Sequence, residues 1–365
     1  MGLKRREFLK LMPLSVLVPG QFQSAELENQ DSSQIEQLYN QAIVIDALIS
    51  ARDWGEDWLK AVEQSGYTGI LTSLSSGNLT SALRDLATWD TRIQENPDKL
   101  LRAVSAADFE RAKRDGKLAM MFGFQNATMI GNDIDSLENL YENGTRWIQL
   151  TYNERNLLGD GCTERTNAGL SDFGVAAVER MNQLGIIVDL SHCGRQTTMD
   201  GIQFSNPGPC FNHTMCEALY PDHPRAKTDE QIRAMADKGG VMGVIALGYM
   251  IGPEPGGETT IETHADHVDH AVQVAGIDHV GLSSDFAIRG ISRGVTRESW
   301  YVPRLTSFKP SYQVRWPPWI PELESPERYK TVAQVLDRRG YRSGDIEKIL
   351  GLNWLRFYRE VLKPD

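Results

Sequence analysis

Strand-like and helix-like segments alternate along almost the whole chain, and this rhythm limits the fold more than any other feature of the sequence. Short apolar runs occur at Ala42–Leu48, Gly69–Leu74, Leu101–Ser105, Leu118–Phe124 and Trp147–Thr151. They recur at Ile186–Leu190, Cys210–His213, Val241–Leu247 and His279–Ser283. Between them lie amphipathic stretches of helical period, among them Ala82–Asn96, Asp135–Glu142, Gly174–Leu184, Asp229–Lys238 and Thr263–Ala275. Gly144, Gly185, Gly239 and Gly276 stand where helices commonly end in a left-handed residue. Such alternation implies a parallel sheet, and about eight units favour a closed (β/α)8 TIM-like barrel over a doubly wound sheet. The expected fold class is therefore α/β, as one barrel domain over residues 41–365 of the 365-residue chain.

Enzymes built on such barrels keep their chemistry at the C-terminal ends of the strands. Two histidines fall there. His192 closes the run Ile186-Ile187-Val188-Asp189-Leu190-Ser191, and His213 closes Pro209-Cys210-Phe211-Asn212. Together they are half of a catalytic zinc site, which normally takes three protein ligands. A lone histidine at a strand end is more often a satisfied polar residue, but two in matching positions argue for a site. His264, His267 and His270 look like a second cluster. At about 100° per residue the first two share a helix face and the third turns away, so they read as an ordinary helix.

Residues 1–25 do not belong to the barrel. Lys4-Arg5-Arg6-Glu7-Phe8-Leu9-Lys10 precedes a short, weakly apolar stretch from Leu11 to Val18, the pattern of a twin-arginine export signal. That stretch is too short to span a bilayer, and no cysteine follows it for lipid attachment, so the expectation is a periplasmic protein with no stable membrane anchor. Residues 26–40 read as a polar linker. The net charge of −11 argues against nucleic acid, which needs a basic patch. Four cysteines, Cys162, Cys193, Cys210 and Cys216, are too few for a disulfide scaffold. Cys210 and Cys216 lie within reach in sequence, although four cysteines can pair three ways. Cys162, on a loop beside the mouth, has the chemistry of a nucleophile, but lone cysteines are mostly inert.

One segment breaks the rhythm. Residues 286–325 show no periodicity, yet they hold Trp300, Tyr301, Tyr312, Trp316 and Trp319 among prolines and arginines. A long insertion of this kind is expected to order as a lid over the barrel mouth, the plainer reading being a subunit contact.

From about Ala42 to Leu362 the chain resembles the membrane (renal) dipeptidases, zinc peptidases of the amidohydrolase-like barrel group. The markers are Leu150-Thr151-Tyr152-Asn153, Gly169-Leu170-Ser171-Asp172-Phe173-Gly174, Val188-Asp189-Leu190-Ser191-His192 and His223-Pro224-Arg225. Ser284-Asp285-Phe286 and Gly351-Leu352-Asn353-Trp354-Leu355-Arg356 complete an ordered set of six. The resemblance implies two zinc ions held by an His-x-Asp on the first strand, a bridging Glu on the third and two later histidines. His192 and His213 match the later pair. Leu48 and Ser50 stand where His and Asp should be, and Gln125 stands for the bridging Glu. Tyr152 aligns with a further family histidine that contacts substrate. Arg225 matches the arginine for the substrate carboxylate, and Asp285 the aspartate at the end of the last strand.

Two zinc ions a few ångströms apart need anions between them, and Leu48, Ser50 and Gln125 supply none. The expectation is at most one zinc ion, at His192 and His213, or none. On this reading Asp285 and Tyr152 are the catalytic groups, with Arg225, Tyr152 and Gln125 binding substrate. All of these, with the two histidines, are expected to face one cavity. The implied activity is peptidase- or amidohydrolase-like, on a small peptide or a peptide-derived metabolite. The alternative is a non-hydrolytic peptide-binding or maturation protein that keeps the pocket without the metals. The family further implies a homodimer.

The export signal is directly testable. With Arg5 and Arg6 both replaced by lysine, cell fractionation should find the precursor retained in the cytoplasm. Unchanged delivery to the periplasm would refute the assignment.

Overall fold

The structure, a computed structural model, describes residues 24–363 apart from 52, 253–257 and 294. All but the last two residues of the twin-arginine segment lie outside the described residues. Nine strands follow in order: β1 (Ile45–Ile49), β2 (Gly69–Ser73), β3 (Leu100–Arg102), β4 (Leu118–Phe124) and β5 (Thr145–Gln149). Then come β6 (Ile187–Asp189), β7 (Phe211–Thr214), β8 (Met242–Ile245) and β9 (Val280–Ser283). Every pairing is parallel, in two runs, β1-β2-β4-β5-β6 and β7-β8-β9.

Backbone hydrogen bonds join the two runs at both seams. Between β6 and β7, Leu190 N–H donates to Cys210 O at 2.9 Å and Cys210 N–H to Val188 O at 2.9 Å. Between β9 and β1, Asp285 N–H donates to Leu48 O at 2.8 Å and Ser50 N–H to Phe286 O at 3.2 Å. Eight strands therefore close into a ring. The ninth, β3, stays outside it. It pairs with the first half of β4, whose second half pairs with β5 on the same edge.

The strands read as continuous apolar runs because both faces are covered. All seven residues of β4 are buried. Close packing inside the ring is visible at Gly123, where an added Cβ would lie 2.1 Å from Trp147 O. Outside, the helix Asp172–Leu184 shows the local logic of its kind. The Ser171 side chain accepts from Gly174 N–H at its start, and Gly185, at φ 81°, ends it in the left-handed region.

One expectation is corrected. Residues 26–40 are not a linker: they lie in the helix Ser24–Gln41. Ile35, Leu38 and Tyr39, spaced three and four apart, form a narrow apolar stripe, and Tyr39 donates its hydroxyl hydrogen to Ser65 O at 2.7 Å. Among the described residues no helix is long and apolar enough to cross a membrane.

The β9–β1 seam also carries a buried charge. Asp46 on β1 accepts from Ser284 N–H at 2.9 Å, Ser284 Oγ–H at 2.6 Å and Leu48 N–H at 3.2 Å. Burial nevertheless dominates and pushes its carboxyl up to about 6, against the lowering by the Ser284 hydrogen bonds. A folded pKa above the unfolded value means that its contribution to stability is complete below about pH 4 and lost as pH rises through about 6. The stability of Asp46→Asn relative to the parent should thus improve by on the order of 2–3 kcal/mol between about pH 4 and pH 7. Denaturant titrations at several pH values would show it; a difference constant with pH would refute it.

Candidate functional site at the barrel mouth

Closure of the ring brings the sequence-nominated residues to one end. Ser50 follows β1, Gln125 follows β4, Tyr152 and His192 stand three residues beyond β5 and β6, His213 is in β7, and Asp285 follows β9. A cavity of about 380 Å³ opens there, within the size range of small-molecule sites. Leu48, Ser50, Ser73, Gln125, Tyr152 and Asp285 line it from the strand ends. Trp300, Arg304, Phe308 and Tyr312 line it from the 286–325 insertion, which folds as short helical turns and not as an unstructured loop.

This insertion is cinched at its base and tied across the mouth. Arg328 donates to the carbonyls of Leu323, Ala287 and Ile288, and Glu324 accepts from Ile291 N–H and Ser292 N–H. His223 Nε2–H donates to Tyr312 O at 3.0 Å, while its Nδ1 accepts from Arg225 N–H at 3.2 Å. Those two roles require the neutral imidazole, and burial holds the ring at about 3. The expected ordered lid is what the structure shows.

His192 and His213 lie one layer deeper. The Tyr152 ring stacks on His192, with centroids 4.1 Å apart and planes 22° from parallel. The two Nε2 atoms are 2.8 Å apart. His192 Nδ1 is 2.8 Å from Asn153 Oδ1, and His213 Nδ1 contacts Asn212 Oδ1. A 2.8 Å contact between the two Nε2 atoms needs a proton on one of them, so one ring donates from Nε2 and the other accepts. Gln125 Nε2 lies 3.2 Å from His213 Nε2 and can donate to it when that nitrogen is the acceptor. Burial, followed by the Arg225 guanidinium, depresses both imidazoles well below the usual histidine range.

Arg225 departs most from expectation. It is fully buried and donates from Nη2 to His213 O at 2.8 Å, while its Nε and Nη1 have no hydrogen-bond partner among the described residues. Neither it nor the two histidines line the cavity. The single shared cavity expected for all six residues is therefore corrected: Gln125, Tyr152 and Asp285 face it, whereas His192, His213 and Arg225 do not. The physical reason is the aromatic layer, since Tyr152 covers His192 from the cavity side. The depth of Arg225 was not legible because arginine is rarely buried without a carboxylate partner.

Among the described residues, no group of three or more His, Cys, Asp or Glu side chains is placed to hold a metal ion. Two of the helical histidines have structural roles: His267 accepts from Cys216 N–H at 3.1 Å and contacts Ile251 O at 3.0 Å, and His270 meets Asp229 at 2.8 Å. All four cysteines are free, so the Cys210–Cys216 pairing does not form in this structure. Burial pushes the Cys162 thiol up to about 11, which keeps it protonated and a poor nucleophile at neutral pH. Lys227, also buried, donates to Leu190 O, Cys193 O and Thr198 Oγ1 and so fixes the backbone on both sides of His192.

The sequence reading missed Ser73, Tyr249, Arg289, Arg293 and Arg304 as lining residues. Ser73 ends a strand and could have been found by that rule; the arginines sit in aperiodic chain. Asp285 is distinctive for its backbone, at φ 60°, a left-handed conformation that costs energy in a non-glycine residue and is often kept at working sites.

A family model described as membrane dipeptidase (peptidase family M19) matches residues 18–307. The dipeptidase tcpJ of Claviceps purpurea is 29% identical over 266 residues, which is 72% of this chain and 56% of that protein. The chain thus spans little more than half the length of the curated relatives it matches. A solved amidohydrolase from Pseudomonas aeruginosa superposes with a TM-score of 0.80 and 28% identity, over 90% of this chain and 99% of that one. The probable dipeptidase PvdM from the same organism gives a TM-score of 0.75 over 92% and 99%, and at 20% identity it speaks for the fold alone.

The buried guanidinium yields a test. Because two of its donor groups are unpaired, Arg225→Met should leave stability within about 1 kcal/mol of the parent, whereas Arg225→Ala should lose about 2 kcal/mol or more through the cavity it opens. In Arg225→Met, His192 and His213 should titrate at higher pH, as followed by histidine NMR. Unmoved histidine titrations would show that Arg225 does not set their charge.

Proposed function

Because the chain belongs to the membrane dipeptidase family, we propose that it acts on a small peptide or peptide-derived molecule at the barrel mouth, without the paired zinc ions of its family. The observation that carries this reading is the mouth cavity, which is lined by Asp285 and Tyr152 while the positions for metal ligands hold Leu48, Ser50 and Gln125. Zinc in such a site would polarise the scissile carbonyl and activate water. The side chains present do not fit a two-ion centre. Leucine and serine offer no ligand of ordinary strength, and glutamine has the shape of glutamate without its charge. The Gln125 amide instead satisfies His213 Nε2, where a metal would otherwise draw on that lone pair. Arg225 and Lys227 add positive potential beside the pair. At most one ion could be held there, by His192 and His213.

In this reading Tyr152 is a hydrogen-bond donor: burial and the nearby Asp285 push its hydroxyl up to about 12, so it stays protonated. Asp285 would take or give the proton at the ligand's amide. The position of the histidine pair outside the cavity favours a second reading, a peptide-binding or maturation protein that does not hydrolyse. We further assign the protein to the periplasm, exported by its twin-arginine segment, and to a homodimer.

Elemental analysis of the purified protein should find no more than one zinc per chain, and added zinc should not raise dipeptide hydrolysis. Asp285→Asn should bind peptide as the parent does and lose turnover by about 100-fold or more. Two firmly bound zinc ions would overturn the proposal; equal turnover by Asp285→Asn would remove Asp285 from the chemistry.

A further inference from the structure

We infer that recognition of the ligand's anionic end has moved from Arg225 to the lid, and that the ligand is an aromatic carboxylate. This rests on the peptide reading above and narrows it. Arg293 and Arg304 both line the cavity, and neither has a carboxylate partner among the described residues. The third lid-side arginine, Arg289, is already neutralised by Asp53 at 2.8 Å and Asp57 at 3.6 Å. Arg304 is held in place without being satisfied. Its Nη1 donates to Trp300 O at 2.8 Å and its guanidinium lies 4.0 Å over the Trp300 ring, which leaves most of its five N–H groups for a ligand.

Arg225 cannot serve the same purpose from its observed place, since it lies buried outside the cavity. The donor groups left open on Arg293 and Arg304 are at the lid, so an anionic ligand gains most by turning its charged end there. The wall beneath those arginines is aromatic. Trp300 meets Tyr249 edge-on at 5.6 Å, and Phe308 packs on Tyr312 at 4.7 Å. Such a wall is matched by a flat ring, which gains both apolar burial and ring-to-ring contact. Ring and charge then belong to the same end of the ligand, as in a peptide that finishes in an aromatic residue with a free carboxylate.

Three probes separate the parts of this inference: glycyl-tyrosine, glycyl-tyrosinamide and glycyl-alanine, titrated calorimetrically into the full protein. The acid should bind about 10-fold or more tighter than the amide, and about 10-fold or more tighter than glycyl-alanine. In the double variant Arg293→Gln with Arg304→Gln, where glutamine can keep the bond to Trp300 O, affinity for the acid should fall to that for the amide. Affinity for the amide should not change, which doubles as a check that the pocket is intact. Should the amide also be lost, the single variant of the exposed Arg293 decides, and unchanged acid binding by it overturns the inference. Equal binding of acid and amide, or full acid affinity in the double variant, overturns the lid assignment and leaves the peptide reading standing. If none of the three peptides binds at millimolar concentration, both fall together.

Discussion

Closing eight parallel strands into a ring is the constraint from which the rest of this molecule follows. A parallel barrel points every strand's C-terminal end to one rim, so residues more than two hundred positions apart become neighbours without any local sequence relation. The closing contacts are few. Two backbone hydrogen bonds and the Asp46–Ser284 pair join β9 to β1, and a similar pair joins β6 to β7. Asp285 sits in that first seam: its amide bonds to Leu48 O while its backbone takes a left-handed turn. The same peptide unit that shuts the barrel thus delivers a carboxylate into the cavity, which ties the geometry of the site to the integrity of the ring.

Beneath the cavity the charges are arranged in an unusual way. Arg225 and Lys227 are both buried, and besides the two imidazoles the carboxylates Asp285 and Asp189 act on them, Asp285 on Arg225 and Asp189 on both. Lys227 is satisfied by two carbonyls and a hydroxyl, and burial lowers it to about 8. Arg225 has no such set of partners. Burial, followed by the positive potential of Arg225, depresses the histidines and keeps them neutral, yet the same potential repels a metal cation. These two effects pull in opposite directions on metal affinity. Leu48, Ser50 and Gln125 add no anionic ligand at the positions nearest the pair, so they do nothing to offset that repulsion.

Much of this was legible in the sequence, for physical reasons that also explain what was not. A strand buried on both faces must be apolar throughout, so β4 was read with its exact bounds from Leu118 to Phe124. Helix starts were read late where a cap and not an apolar residue defines them: the helix Leu79–Glu95 begins at the Asn78–Ser81 capping box. The helix Ser24–Gln41 was hidden because its stripe is narrow and the rest of it is polar. At the site, the order of strand-end residues was readable because the barrel fixes where strand ends go. The depth of each was not. Whether His192 opens on the cavity or lies under a tyrosine depends on the stacking of Tyr152 upon it, a contact between residues beyond different strands that no spacing encodes.

The lid shows the same division. Its aromatic content announced that it would pack, because exposed tryptophans are costly, but it could not announce which charges the packing would leave facing inward. That was settled by which arginines found partners. Arg289 found Asp53, Arg328 found backbone carbonyls, and Arg315 found Tyr249 O and Gly252 O. Arg293 and Arg304 were left at the cavity wall. If the metal ligands were lost while the pocket stayed in use, the binding energy once drawn from metal–ligand contact has to come from elsewhere in the mouth. An insertion that brings rings and guanidinium groups to the cavity wall is a physical means of supplying it, because both act at the rim and neither needs the strand ends to change.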